Sequence, residues 1–170
     1  MTFIAGAFAG TYNAALGGAG ALSLGTVEDG FDLEEINYAE RVIGDNLGET
    51  TQDHVNRGKD VFLSAVFIEA DLAGVLKAIH PYVNVSAIGL QGTVNQPGLL
   101  GTNFAGILTL TAIAGTTAAT ALTSLTARKA VLAPNQSIRR LHASRLRKVP
   151  IRFQLLPYVV SNTAYYYEQA

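Results

Sequence analysis

Residues able to do acid–base, nucleophilic or metal chemistry are few in this chain and scattered along it. Cysteine is absent, which removes disulfides, thiolate metal sites and cysteine nucleophiles together. The histidines His54, His80 and His142 share no ligand spacing with one another or with a carboxylate pair. His80 falls in the last turn of a predicted helix, where an imidazole interacts with the helix C-terminus. His54 sits in a polar stretch that favours a solvated side chain. Glu34 and Glu35 are adjacent, so on a strand they point to opposite faces and cannot work as a paired acid and base. Asp29, Asp32 and Glu34 have no central glycine and no closing glutamate in the register of a calcium loop. The cluster Gly17-Gly18-Ala19-Gly20 has neither the flanking strand and helix nor the lysine of a phosphate-binding loop. The expectation is a protein that is not an enzyme, with no catalytic residue, no metal ligand and no cofactor.

The elements that would position any site read as mainly β. Residues 1–20 are small, apolar and glycine-rich, and are read as a flexible N-terminal arm. Residues 21–27 start a strand, Glu28-Asp29-Gly30 is a turn signal, and 31–43 form a long strand or a bent pair. Gly44–Gly58 has no strand or helix period and reads as a long polar loop. Val61–Ile68 (VFLSAVFI) is apolar at every other position and in between, the pattern of a strand buried on both faces. Leu72, Val75, Leu76 and Ile79 recur at helical spacing after Asp71, an N-cap type, and before Pro81, predicting a helix near 71–80. Further strands are expected at 83–92, 104–114, 128–133 and 149–156, with a turn at 95–98 and a partly helical connection over 115–127. Tyr165–Tyr167 reads as a closing edge strand. The sum is a single domain: a β-sandwich or barrel of about seven to eight strands over 21–160, one flanking helix, and a C-terminal tail at 161–170.

Composition points to self-association. Nearly half of the 170 residues are hydrophobic and 15% are charged, well below the roughly 25% of an ordinary soluble domain. Too little charge is available to cover an isolated surface, so apolar surface is expected to end in an interface. The net charge of -1 gives no bulk reason for a nucleic-acid or membrane partner, and no apolar run is long enough for a membrane-spanning helix. The signs are also separated. Twelve of the thirteen carboxylates lie between Glu28 and Asp71, and eight of the twelve cations lie between Arg128 and Arg152. Complementary patches could register one copy against another. Equally, acidic and basic strands could be neighbours in one sheet.

Three segments together resemble the tail tube subunits of tailed bacteriophages. They are Leu24-Gly25-Thr26-Val27-Glu28-Asp29-Gly30-Phe31, the polar stretch from Leu47 to Gly58 leading into Val61–Ile68, and Val149-Pro150-Ile151-Arg152-Phe153-Gln154-Leu155-Leu156-Pro157-Tyr158. The resemblance implies a β-sandwich with a flanking helix, assembled as hexameric rings that stack into a conduit for DNA. The protein would be a virion component built in the host cytoplasm. Its partners would be its own copies and other tail proteins such as a tape measure, a terminator or a sheath, with DNA as non-specific cargo and no membrane.

In such proteins the long loop and both arms contact the adjacent ring. Carried onto this chain, the contact candidates are Asp45, Glu49, Asp53 and Arg57 in the loop and Arg139, Arg140, Arg145, Arg147 and Lys148 in the basic stretch. Asp32, Glu34 and Glu40 are candidates for a lumen wall, where carboxylates keep DNA from adhering. They could instead face the next ring. The alternatives are another ring component, such as a tail terminator or head–tail connector, and a nucleic-acid-binding module using the 128–152 basic stretch.

Overall fold

A computed structural model describes residues 7–13, 20–43, 51–69, 73–80, 100–113, 123–138 and 148–170. The chain is mainly β with one helix. Its strands in order are β1 (Phe8–Asn13), β2 (Leu22–Ile43), β3 (Thr51–Phe67), β4 (Gly106–Ala112), β5 (Ser124–Leu132), β6 (Val149–Leu155), β7 (Tyr158–Val160), β8 (Thr163–Tyr165) and β9 (Glu168–Gln169). Helix α1 (Ala73–Ile79) follows β3, and a 3₁₀ turn at Gly101–Asn103 precedes β4. The sheet runs β4-β1-β2-β3-β6-β5, and β4 also pairs with β5, so six antiparallel strands close into a barrel. β9 adds to β5, and β7 with β8 forms a separate hairpin.

The barrel core follows from period-two alternation. Phe8 and Tyr12 of β1, Leu63 and Phe67 of β3, Leu108 and Leu110 of β4, and Ile151 and Phe153 of β6 all point inward and are buried. Phe8 meets Phe31 edge-on at 5.0 Å, and Tyr12 stacks on Phe153 at 5.9 Å. The Tyr12 hydroxyl donates to the Ala130 carbonyl at 3.2 Å, which gives this buried polar group a partner. Burial pushes its pKa up to about 12.

Several expectations are corrected. The flexible arm is the first, since Phe8–Asn13 is a barrel strand between β2 and β4. Gly10 serves close packing there: a Cβ would stand 3.1 Å from Leu24 and Phe67 and 3.2 Å from Leu110. Asp29 and Gly30 do take positive φ, at 58° and 82°, yet they form a bulge inside β2 instead of ending it. Pairing resumes at Phe31 opposite Ala65. The Gly44–Gly58 loop is shorter than expected, because β3 begins at Thr51. Between Val61 and Phe67, β3 buries one face fully, while Phe62, Ser64 and Val66 on the other are only partly covered. β5 starts at Ser124, within the stretch read as a connection.

Other expectations meet the structure closely or fall beyond it. Helix α1 buries Val75 and Ile79, and also Lys77, which is only 1% exposed. Asp71, the expected strand at 83–92 and the turn at 95–98 lie outside the described residues. The tail at 161–170 contributes β8 and β9 and packs Tyr166 and Tyr167 against the core.

Candidate assembly interface

The lengths of the neighbours decide where β2 and β3 leave the barrel. β1 covers β2 only from Leu22 to Val27, and β6 covers β3 only from Val61 to Phe67. Beyond these limits, among the described residues, the two strands pair only with each other, from Ile36 opposite Asp60 to Ile43 opposite Thr51. At about 3.3 Å per residue the ten residues 51–60 extend roughly 30 Å. The result is a two-stranded ribbon projecting from one end of the barrel.

Alternation assigns its two faces. One carries Ile36, Tyr38, Glu40 and Val42 with Asp60, Val55 and Asp53; the other carries Asn37, Ala39 and Arg41 with Lys59, Asn56 and His54. Tyr38, Val42 and Val55 share the first face and are 47%, 39% and 48% exposed; Ile43 is 48% exposed near the tip. The Tyr38 hydroxyl donates to Asp60 at 2.9 Å. That bond to the carboxylate holds the phenol above its usual pKa. Apolar side chains so exposed on a ribbon without a core of their own mark a surface that gains by being covered. A second exposed apolar group stands at the same end, where β6 runs out into the β7–β8 hairpin: Val159 is 69% exposed, with Val160 and Tyr165 also on the surface.

Among the described residues, two cations of the basic stretch meet acids of β2 inside the chain, because β2 and β6 flank β3. Arg152 lies over the Phe62 ring at 4.2 Å and reaches the Glu34 carboxylate, and Lys148 pairs with Glu28. On the ribbon Arg57 pairs with Glu40, and Lys59 with Glu35 at 2.9 Å. Of the nominated lumen residues, Glu34 and Glu40 are therefore engaged within the subunit. Asp32 is exposed and forms no ion pair among the described residues. Of the nominated contact residues, Asp53 and Arg57 lie on the ribbon and Lys148 at the start of β6, while Asp45, Glu49, Arg139, Arg140, Arg145 and Arg147 lie outside the described residues. Exposed pairs of this kind contribute about 0–1 kcal/mol each. They set local register more than they hold the fold.

Little in the described residues gathers toward catalysis. Glu34 and Glu35 diverge as expected for a strand, one to Arg152 and the other to Lys59 and Tyr167. His54 is exposed on the ribbon, the His80 N–H donates to the Leu76 carbonyl at 2.9 Å, and His142 lies outside the described residues. Among the described residues no group of three or more His, Cys, Asp or Glu could hold a metal ion, and no helix is long and apolar enough to cross a membrane. A half-open groove of about 390 Å³ beside α1 is lined by Ile79, Phe104, Val131 and Pro134 with Gln136 and Gln154, and no charged side chain among the described residues lines it.

Sequence reasoning placed the β2 half of the ribbon in the strand expected over 31–43 but missed its β3 half at 51–58, because neither face is buried. Without a core-facing side there is no alternation of hydrophobicity to read, and the stretch passes for a loop. The signal available was the run of Val42, Ile43 and Val55 amid polar residues. Compared with known proteins, the chain matches no family model and no curated protein.

Proposed function

We propose that this protein is a virion structural subunit that assembles with its own copies into stacked, hexameric rings of a phage tail tube, a conduit for DNA. The observation that carries the reading is the ribbon, a self-paired arm of two strands with Tyr38, Val42, Ile43 and Val55 exposed, set on a closed barrel. A barrel with no free edge can associate through such an arm without disturbing its core. The low charge content and the resemblance of the three segments add to this support. In this reading the ribbon docks on the next ring, the tape measure and terminator are further partners, and the protein carries out no catalysis.

Electron microscopy of concentrated protein tests the reading. Six-fold rings or tubes are the expected outcome, and a monomer that persists at millimolar concentration overturns it. A terminator or connector would stop at single rings where a tube subunit grows filaments. A nucleic-acid module using the basic stretch would instead bind oligonucleotides with an affinity that falls steeply as salt rises.

A further inference from the structure

The root of the ribbon is held by side chains from the far end of the sequence. Continuing the β3–β6 register two residues past Val61 opposite Leu155 sets Lys59 against Pro157. Proline has no N–H to donate, so β6 cannot extend the ladder along the ribbon. The chain turns away there, with the Leu156 N–H bonded to the Lys129 carbonyl of β5 at 2.8 Å. The Lys59 carbonyl is satisfied from elsewhere: the Tyr166 hydroxyl donates to it at 2.9 Å. The Tyr167 hydroxyl donates to Glu35 Oε1 at 2.7 Å, on the opposite strand of the ribbon root. Lys59 closes the circuit with its ion pair to Glu35 and its ammonium 5.4 Å from the Tyr166 ring centre.

The other end of this segment is tied to the barrel. Glu168 and Gln169 pair with Thr126 and Leu125 of β5, and the Glu168 carboxylate accepts from Arg128 at 3.2 Å and Tyr158 at 2.6 Å. Residues 166–168 therefore bridge β5 to both strands of the ribbon at the level where β6 no longer supports β3.

We propose that Tyr166–Glu168 is a strut that sets the angle of the ribbon against the barrel, making Tyr166 and Tyr167 positioning residues for assembly. The assembly role rests on the reading of the ribbon as the docking element. A ribbon free to swing about its root would present Tyr38, Val42 and Val55 in many orientations. Holding it in one lowers the ordering cost of each contact.

The test uses the full chain with Tyr166→Phe and Tyr167→Phe combined, which keeps both rings and removes both hydroxyls. Hydrogen exchange on dilute protein is expected to show amides of 36–41 and 53–60 exchanging roughly tenfold faster, with 61–67 unchanged. The concentration at which assemblies appear in sedimentation should rise by a similar factor. Thr111→Ser, at an exposed position of β4 that takes no part in the bridge, should change neither. Unchanged ribbon exchange in the double variant overturns the strut. Faster exchange with unaltered assembly keeps the strut as a local brace and overturns its assembly role, whereas the docking reading itself falls only if substitution of Val42 and Val55 leaves assembly intact.

Discussion

The inner and outer halves of β2 and β3 are the same two strands in two environments. Inside the barrel, Leu24, Val27, Leu63 and Phe67 are buried between neighbouring strands. Past Glu35 and Val61 the antiparallel pairing continues, with register shifts after Tyr38 and Val42, yet Tyr38, Val42, Ile43 and Val55 stand exposed. Backbone pairing is therefore not what separates the regions. The difference is the presence of β1 and β6 on the flanks, and the barrel they close. An isolated two-stranded hairpin is at best marginally stable in water. The ribbon is held in register by the barrel it grows from and by cross-strand pairs such as Arg57 with Glu40.

Three experiments probe that contrast. The largest effect belongs to the barrel: Phe153→Ala should cost about 3–5 kcal/mol by leaving a cavity against Tyr12, read as a large fall in the denaturant midpoint. Val42→Lys with Val55→Lys on the ribbon, each opposite a carboxylate, should change stability by no more than about 0.5 kcal/mol each, because neither side chain is buried. The same pair should abolish self-assembly in sedimentation, and retained assembly would break the proposed division of labour.

The smallest effect is a titration at the ribbon root. The Tyr167 hydrogen bond, and then the Lys59 bond and charge, hold the Glu35 carboxyl below its ordinary value of 4.5. A depressed carboxyl stabilises the fold above its unfolded pKa and loses that contribution as pH falls through the folded value. A carboxyl-carbon titration followed by NMR should place Glu35 below 4.5, and Tyr167→Phe should raise it. An identical titration in both proteins would show that the hydroxyl does not reach the carboxylate.

What was legible in the sequence follows the same divide. β6 alternates cleanly because one of its faces is in the core, and its observed span of Val149–Leu155 lies within the expected one. The helix was legible through the spacing of Val75 and Ile79. β1 was hidden because glycine signals both flexibility and tight packing, and only the neighbours of Gly10 decide between them. Asp29-Gly30 announced its backbone conformation correctly but not its role, since a turn and a bulge need the same positive φ. The charge separation was legible as a pattern, while the pairing of Arg152 and Lys148 with acids of β2 across β3 depends on strand order, which local sequence does not encode.

Closure of the barrel has a consequence for how copies of this chain could meet. The six strands rolled into a cylinder leave only the two-residue β9 as an outermost strand to recruit a stranger, so indiscriminate fibril growth along the sheet is restrained. Unpaired backbone is concentrated instead on the margins of a slender finger, where each approach must satisfy the side chains of two faces as well as the main chain. Stickiness gathered toward one end gives a molecule a front and a back.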